Sequence, residues 1–169
     1  VTGLVLDSSG VVYASTNSGC NIITGNKITS LFYRGKKIST PIEYIIKGID
    51  YNIYLGSELG LFIVNKKKIE LIDHSNGLEN NRIGSLLQDE NGIIYIGTKE
   101  FGINIYKQGL IENFTTEHGL LNINITAVLE DKTGRIFLGT KAGAYLFDQE
   151  QKASTKITSS TVNSIRETS

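Results

Sequence analysis

The sequence predicts an all-β chain, and three features of its 169 residues carry this prediction. A four-residue pattern with an aromatic residue at its second position recurs four times, at intervals of 41 or 42 residues. Short runs of β-branched and aromatic residues alternate with turn-forming residues, which is typical of strands. The apolar periodicity of an amphipathic helix is absent along the chain. The chain is therefore expected to consist of repeated sheets.

The repeat extends beyond the aromatic pattern. A branched aliphatic residue lies twelve positions before each aromatic, and a glycine follows each pattern within a few positions. The patterns are Val12–Ser15, Ile53–Gly56, Ile94–Gly97 and Ile136–Gly139, with the aliphatics Val1, Ile42, Ile83 and Ile125 and the glycines Gly19, Gly60, Gly102 and Gly143. Internal repeats of this length are typical of solenoids, propellers and other arrays.

Each repeat carries the signals of four antiparallel strands joined by hairpins. In the first repeat, the apolar and β-branched runs are Val1–Leu6, Val11–Ser15, Ile22–Thr24 and Ile28–Tyr33. An Asp-x-x-Gly turn separates the first two runs in three repeats, because Asp accepts from the backbone and Gly tolerates a left-handed conformation. These turns are predicted at Asp7–Gly10, Asp89–Gly92 and Asp131–Gly134. Short turns at Gly25–Lys27, Asn65–Lys68 and Lys107–Gly109 are expected to close the last hairpins.

Several strands predict sheets that are buried on both faces. Leu4–Leu6, Tyr44–Ile46 and Ile93–Ile96 are apolar without alternation. A four-stranded sheet of this kind, repeated about every 42 residues, is a blade of a β-propeller. The prediction is one β-propeller fragment over residues 1–169, with blades at approximately residues 1–41, 42–82, 83–124 and 125–161. Residues 162–169 resemble the opening strand of a fifth blade.

Composition excludes several classes of function. Lys and Arg together equal Asp and Glu at 17 each, so nucleic acid is not an expected partner. No apolar run approaches the roughly 20 residues that a bilayer-spanning helix needs, so no membrane insertion by this region is expected. The single cysteine, Cys20, excludes an internal disulfide and a cysteine-based zinc site. The absence of methionine suggests an excerpt from a longer polypeptide.

The residues that could carry chemistry have structural interpretations. His74 and His118 lie in connections between repeats, without the supporting ligands of a metal site. Cys20 is expected to be a buried, inert thiol. The repeated aspartates are expected to serve their turns. We therefore expect no catalytic residue, no metal, no cofactor and no enzymatic activity for this region.

Repeated glycines end the aromatic pattern in three of the four repeats. No helix follows them, so they do not form a phosphate-binding loop. They predict a β-bulge or close packing between sheets. These glycines are Gly56, Gly97 and Gly139.

Propeller geometry indicates where a ligand would bind. The loops between the second and third strands of each blade lie on the same face as the connections between blades, and we call this the loop face. Sugars are commonly held by an aromatic platform with amide and charged hydrogen-bonding groups around it. The candidate ligand-binding residues on this face are Asn80, Asn81, Arg82, Lys99, Glu100, Phe101, Asn122 and Asn124.

The repeat resembles the two-component regulator propeller family. Its unit reads approximately Asn-x-Ile-x-x-aliphatic-aliphatic-x-Asp-x-x-Gly-x-aliphatic-Trp-aliphatic-Gly-Thr-x-x-Gly-Leu. The segments that match it best are Asn81–Gly102 and Ile125–Gly143, preceded by the Gly-Leu pairs at 77–78 and 119–120. The first two repeats depart from the pattern at Ser15, in place of glycine, and at Gly48–Tyr51, in place of the Asp-x-x-Gly turn. Tyr or Phe replaces the Trp in every repeat.

The resemblance implies extracytoplasmic sensing. Repeats of this family typically form the periplasmic part of hybrid two-component sensors, whose usual signals are oligosaccharides. The function expected from the resemblance is thus ligand sensing in the periplasm or at the cell surface. An oligosaccharide would bind non-covalently and shift the population between two arrangements of the sensor.

Two other classes of function remain open. The first is a structural or protein-interaction module, because related propellers occur in cell-surface and secretion-associated proteins. The second is a propeller lyase, although the single proline, Pro41, and the absence of Trp count against it. A four-blade piece also leaves apolar sheet faces uncovered, so self-association or incorporation into a larger propeller is expected.

Overall fold

The computed structural model describes residues 1–120, 122–151 and 153–158 and has the predicted all-β architecture. It contains four antiparallel sheets of four strands, which follow one another along the chain as blades. The first blade comprises β1 (Gly3–Leu6), β2 (Val12–Thr16), β3 (Gly19–Thr24) and β4 (Lys27–Ser30). A separate two-stranded hairpin follows, formed by β5 (Phe32–Tyr33) and β6 (Lys36–Lys37). The predicted start of a fifth blade at 162–169 lies outside the described residues.

The other three blades repeat this strand order. The second comprises β7 (Ile42–Lys47), β8 (Ile53–Ser57), β9 (Gly60–Val64) and β10 (Ile69–Ile72). The third comprises β11 (Ile83–Gln88), β12 (Ile94–Thr98), β13 (Ile103–Lys107) and β14 (Leu110–Phe114). The fourth comprises β15 (Ile125–Glu130), β16 (Ile136–Thr140), β17 (Gly143–Asp148) and β18 (Ala153–Thr158). Short 3₁₀ helices at His74–Asn76 and Thr116–His118 lie in the last two connections.

The first connection between blades differs from the sequence prediction. The run Ile28–Tyr33 was expected to form one strand, but β4 ends at Ser30 and the hairpin begins at Phe32. Between them, Leu31 is buried and its N–H donates to the carbonyl of Cys20 at 2.8 Å. This buried side chain is fixed in the core between the first two blades, so the chain leaves the sheet there.

The Asp-x-x-Gly turns have the predicted geometry. Oδ1 of Asp7 accepts from the N–H of Ser9 at 2.7 Å and of Val11 at 2.9 Å, and Gly10 has a φ of 84°. Asp89 and Asp131 make the equivalent backbone contacts in the third and fourth blades. Each turn also has a hydrogen bond from the glycine N–H to the aspartate carbonyl. The prediction of these three turns is confirmed.

The repeated glycines lie beside β-bulges, as predicted. In β7, β11 and β15 the strand register skips one residue, and these residues are Glu43, Gly84 and Thr126. Opposite each bulge lies one of the glycines. A Cβ on Gly97 would be 2.7 Å from Cγ2 of Ile125 in the next blade, and would overlap Oγ of Ser85. Glycine therefore permits the close approach of consecutive blades.

Three buried clusters fill the spaces between consecutive blades. Ile42, Leu55 and Phe62 belong to the cluster between the first and second blades. The cluster between the second and third includes Leu61, Ile83 and Ile96, and the last includes Ile103, Ile125 and Tyr145. In the part of the chain that the structure describes, no buried cluster joins the first blade to the fourth. The blades therefore form an arc in chain order.

One sheet face of the first blade is uncovered, contrary to the prediction for Leu4–Leu6. Leu4 and Leu6 are 63 % and 56 % exposed, whereas Val5 faces the second blade. The strand register places further apolar residues on the uncovered side, which we call the outer face of the first blade. This outer face consists of Leu4, Leu6, Val12, Ile23 and Ile28. The prediction failed because none of the described sheets packs there.

Candidate functional site

The strand order places the candidate residues at one end of the arc. The first strands of consecutive blades lie against one another, β1 on β7, β7 on β11 and β11 on β15, so they are the innermost strands. Because the strands alternate in direction, each loop between the second and third strands lies at the same end as the connection to the next blade. This end is the loop face, and the Asp-x-x-Gly turns lie at the opposite end.

Two of the predicted residues come together at the boundary of the second and third blades. The N–H of Lys99, after β12, donates to the carbonyl of Arg82 at 2.9 Å. The ammonium of Lys99 lies 2.8 and 3.0 Å from the two carboxylate oxygens of Glu43. A guanidinium nitrogen of Arg82 lies 3.5 Å from Oε1 of Glu58. Two ion pairs therefore join these blades on the loop face.

The partner of Lys99 was not among the candidate residues. Glu43 is the unpaired residue of the bulge in β7, and its side chain is about one third exposed. A signal was available in the repeat, because Glu43 is charged where the other repeats have Thr2, Gly84 and Thr126. The bulge directs its carboxylate to Lys99. This bulge becomes visible only when β7 and β8 are paired in the structure.

The candidate asparagines hold the backbone of the connections in place. Oδ1 of Asn80 accepts from the N–H of Arg82 at 2.8 Å, and Oδ1 of Asn81 accepts from the N–H of His74 at 2.6 Å. Oδ1 of Asn122 accepts from the N–H of Asn124 at 2.9 Å. These amide oxygens therefore serve local loop structure.

Phe101 and Glu100 form the tip of the loop after β12. Phe101 is 39 % exposed, and Glu100 has a φ of 83°, which is uncommon outside glycine. The N–H of Gly102 donates to the carbonyl of Ile123 at 2.7 Å, which attaches this loop to the next connection. The tip thus presents a partly exposed aromatic ring two residues after Lys99.

The larger clefts near the loop face have a different lining. Clefts of about 450 and 400 Å³ flank the hairpin β5–β6 and are lined by Tyr33 and Arg34 on both sides. Two further clefts of about 450 Å³ lie at the opposite end, beside Asp50 and Asn52. The eight candidate residues line none of these four clefts.

Both histidines take part in the structure of their own connections. Nδ1 of His74 lies 3.0 Å from the carbonyl of Leu78. Nδ1 of His118 accepts from the N–H of Thr115 at 3.1 Å, and its ring packs against Phe114 with centroids 4.9 Å apart. Among the described residues, no group of three or more His, Cys, Asp or Glu could hold a metal ion.

Cys20 is buried in the core between the first two blades, as predicted. It is 2 % exposed, and burial raises the pKa of its thiol to about 11. A thiol in this state is a poor nucleophile and metal ligand. None of the helices in the described part of the chain is long and apolar enough to cross a membrane.

Comparison with known proteins gives a family match over the connection into the third blade and its first two strands. Residues 77–100 match the family model described as two component regulator propeller. No curated protein matches the chain. A solved structure described as the extracellular domain of a hybrid two component system from B. thetaiotaomicron aligns with a TM-score of 0.74 at 21 % identity. That alignment covers 92 % of this chain and 22 % of the other.

Two other solved structures share the fold at lower identity. Virginiamycin B lyase from Staphylococcus aureus aligns at 12 % identity and a TM-score of 0.68, covering 95 % of this chain and 56 % of the lyase. PorZ, described as a bacterial surface component of the type-IX secretion system of Porphyromonas gingivalis, aligns at 12 % identity and a TM-score of 0.65. The alignment covers 92 % of this chain and 27 % of PorZ.

The chain spans about a fifth of the length of the extracellular sensor domain, so that comparison concerns the blades alone. The family motif and the blade fold nevertheless agree with each other. Residues 77–100 thus match a two component regulator propeller repeat, and the blades around them share the fold of a two-component system's extracellular domain.

Proposed function

We propose that this chain is the ligand-sensing region of a periplasmic two-component regulator and that its loop face binds an oligosaccharide non-covalently. The observation that carries the proposal is the match of residues 77–100 to the two component regulator propeller model. The fold shared with the extracellular domain from B. thetaiotaomicron supports the same assignment.

The loop face between the second and third blades offers suitable chemistry for a sugar. The exposed ring of Phe101 provides a surface for the apolar face of a pyranose. Arg82 and Lys99 supply donors, and Glu43 and Glu58 supply acceptors, at the boundary of the second and third blades. This combination of an aromatic surface and convergent polar groups is what orients a bound sugar.

The two ion pairs suggest how binding would be transmitted. Each pair joins the second blade to the third, through Glu43 with Lys99 and Glu58 with Arg82. A sugar hydroxyl that accepts from Lys99 competes with Glu43 for the same ammonium. Binding therefore changes the contacts between two blades and can favour one arrangement of the sensor over another.

The test is a thermal unfolding screen of the 169-residue chain against defined neutral and acidic oligosaccharides, followed by calorimetric titration of any that bind. A ligand present at a hundred times its Kd stabilises the folded state by about 2.7 kcal/mol, which raises the unfolding temperature measurably. Phe101→Ala is expected to weaken binding about fivefold, because it removes the stacking surface.

Leu110→Ala is the matched control for Phe101→Ala, since Leu110 is an exposed apolar residue on β14 away from the loop face. It should leave the affinity unchanged. The proposal fails if no oligosaccharide alters the unfolding temperature, or if Phe101→Ala and Leu110→Ala bind equally well.

A protein-interaction module is the second candidate function. The uncovered outer face of the first blade favours it, because contiguous exposed apolar surface commonly marks an interaction site. The fold shared with PorZ is compatible with this alternative. A chain of this class would bind no sugar and would lose its partner when Leu6→Lys is introduced.

We propose no catalytic role for this region. A lyase would need a general acid or base free to meet its substrate. His74 and His118 each bond within their own connection, and the two lie on different blades. Their replacement by glutamine is expected to affect stability, and an activity lost with His118→Gln would contradict this view.

A further inference from the structure

The hairpin β5–β6 is held rigidly beside the loop face. Its base is closed by Leu31 and Ile38, which are both buried, and the N–H of Ile38 donates to the carbonyl of Leu31 at 3.0 Å. Tyr33 packs edge-on against Phe62 of β9, with ring centroids 5.7 Å apart. Three anchored residues therefore fix the position of a hairpin that is only six residues long.

The exposed residues of this hairpin carry concentrated positive charge. Arg34, Lys36 and Lys37 are all exposed, and we call them the hairpin cations. No carboxylate among the described residues lies within ion-pair distance of any of them. The chain as a whole has a net charge of zero, so this positive charge is a local feature and does not reflect a basic overall composition. An uncompensated cluster of this kind attracts anions.

Arg34 occupies a strained and oriented position at the hairpin turn. Its φ is 49°, in the left-handed region, where residues other than glycine and asparagine are uncommon. Its guanidinium carbon lies 5.2 Å from the centre of the Tyr33 ring, within the range of a cation–π contact. The guanidinium is thus held over the aromatic ring that lines the adjacent clefts.

One of these clefts combines an apolar floor with the hairpin cations. It has a volume of about 400 Å³, and Tyr33, Leu59 and Phe62 contribute its apolar surface. The three hairpin cations line it as well, and no acidic residue does. Such a volume accommodates a sugar ring or two, and the floor suits the apolar face of a pyranose.

The cleft adjoins the site proposed above. Leu59 follows Glu58, whose carboxylate pairs with Arg82 on the loop face. An oligosaccharide that contacts Arg82 and Phe101 could therefore extend along the loop of β8 and β9 to the hairpin. Such an oligosaccharide would contact two regions of different charge. On the loop face the basic side chains form ion pairs with glutamates, whereas in the cleft the hairpin cations have no acidic neighbour in the lining.

We propose that the cleft beside β5–β6 is a subsite for an anionic sugar residue, carrying either a uronate carboxylate or a sulfate ester. The apolar face of the ring packs against Tyr33 and Leu59, and the anionic group pairs with the hairpin cations. This inference rests on the proposed function, because it names the class of oligosaccharide that the loop face selects.

The test is calorimetric titration of the 169-residue chain with tetragalacturonate, its fully methyl-esterified form and a sulfated galactan tetrasaccharide that carries sulfate esters and no carboxylate. The ester has the same backbone without the charge, so it isolates the contribution of the anion. Binding of tetragalacturonate or of the sulfated probe, weakened by added salt, is the expected result. Which of the two binds more tightly distinguishes a carboxylate from a sulfate ester.

Two charge-matched double variants locate the subsite. Lys36→Gln with Lys37→Gln is expected to weaken binding of the anionic probe about tenfold, from two exposed charge contacts. Lys66→Gln with Lys67→Gln removes the same charge from an exposed turn of the second blade, on the side of the blades opposite the loop face. It should leave the affinity unchanged. Arg34→Asn, which tolerates the left-handed turn, should weaken binding as well.

Each outcome bears on one claim. Equal affinity for tetragalacturonate and its ester, with no binding of the sulfated probe, overturns the anionic subsite while the proposed oligosaccharide function stands. Equal losses in both lysine pairs show an unlocalised charge effect and also overturn it. Binding of hexa-aspartate as tight as that of the sugars assigns the cleft to acidic peptides instead. If none of these three saccharides binds while another oligosaccharide of the unfolding screen does, only the anionic subsite fails; if no oligosaccharide of the screen binds, the proposed function itself fails.

Discussion

Tyrosine at the position of the family's Trp connects the second strand of a blade to its turn. The hydroxyl of Tyr54 donates to Oδ2 of Asp50 at 2.6 Å. The hydroxyl of Tyr95 lies 3.4 Å from Oδ2 of Asp89 and 3.1 Å from Oε1 of Gln149. Burial and the neighbouring carboxylates raise the pKa of both phenols, so they remain neutral donors. The substitution thus keeps an aromatic in the core and adds a hydrogen bond to the turn.

Cys20 is expected to resist alkylation in the folded protein. Burial raises its pKa to about 11, so little thiolate exists at pH 8, and the sulfur is shielded from reagent. Reaction with iodoacetamide, followed by mass spectrometry, should require unfolding in urea. A native chain that reacts as fast as the unfolded one would contradict the burial of this thiol.

The Asp-x-x-Gly turn keeps its shape even where its sequence is lost. In the second blade the N–H of Tyr51 donates to the carbonyl of Gly48 at 3.0 Å, as the turn glycines do elsewhere. Tyr51 therefore adopts a φ of 64°, in the region that glycine occupies in the other blades. The hairpin, rather than the residue type, imposes this conformation.

Tyr51→Gly is expected to stabilise the chain by about 1 kcal/mol, because it relieves the left-handed strain of an exposed side chain. The midpoint of urea unfolding should rise accordingly. Gly92→Ala in the equivalent turn should lower it by a similar amount. A lower midpoint for Tyr51→Gly would mean that the phenol contributes more than the strain removes.

Gly97→Ala is expected to destabilise the contact between the third and fourth blades by about 1–3 kcal/mol. The added methyl group overlaps Oγ of Ser85 and lies 2.7 Å from Cγ2 of Ile125. Urea unfolding measures the loss. Because Oγ of Ser85 is buried without a hydrogen-bond partner among the described residues, Ser85→Ala should be tolerated and should recover part of the loss in the double variant. If the double variant is no more stable than Gly97→Ala, the destabilisation does not come from the overlap with Ser85.

At the scale of the whole molecule, the arc of blades leaves apolar surface uncovered. Leu4, Leu6 and Ile28 are all more than half exposed on one continuous sheet face. Burial of such a face stabilises an assembly by roughly 25 cal/mol for each Å² removed from water. The 169-residue chain by itself should therefore self-associate or bind another blade through this face.

Sedimentation velocity tests this expectation. The chain is expected to form dimers or larger species at micromolar concentration, and Leu6→Lys should shift it toward monomer because a charge on the outer face opposes burial. Leu110→Lys, at an exposed leucine outside this face, is the matched control. A monodisperse monomer of the unmodified chain would refute the prediction.

Local patterns in the sequence predict the architecture well. The repeat, the Asp-x-x-Gly turns and the glycines all depend on interactions within one blade or with the next blade. These interactions recur at equivalent positions of the repeat. The hairpin β5–β6 was not predicted, since the run Ile28–Tyr33 has uniform strand propensity. Its break depends on Leu31 being buried against a different blade.

For the candidate site, the sequence proposed Lys99 and Arg82 as ligand-binding residues, which stays a prediction, but it predicted neither of their ion pairs, with Glu43 and Glu58. Residues 43 and 99 are 56 positions apart, and a bulge decides the direction of Glu43. The basic cleft likewise depends on how the hairpin packs against Phe62. Such contacts between distant segments leave no periodic pattern in the sequence, so the sequence could not predict them.

The sequence by itself determined the all-β class, the blade repeat and the turns, because these follow from short-range conformational preferences and regular spacing. Only the tertiary structure decided which faces are covered, where the first connection folds into a hairpin and which charges meet on the loop face. Burial and ion pairing depend on the order in which sheets stack, so residues such as Leu4 and Glu43 acquire their roles only from neighbouring sheets.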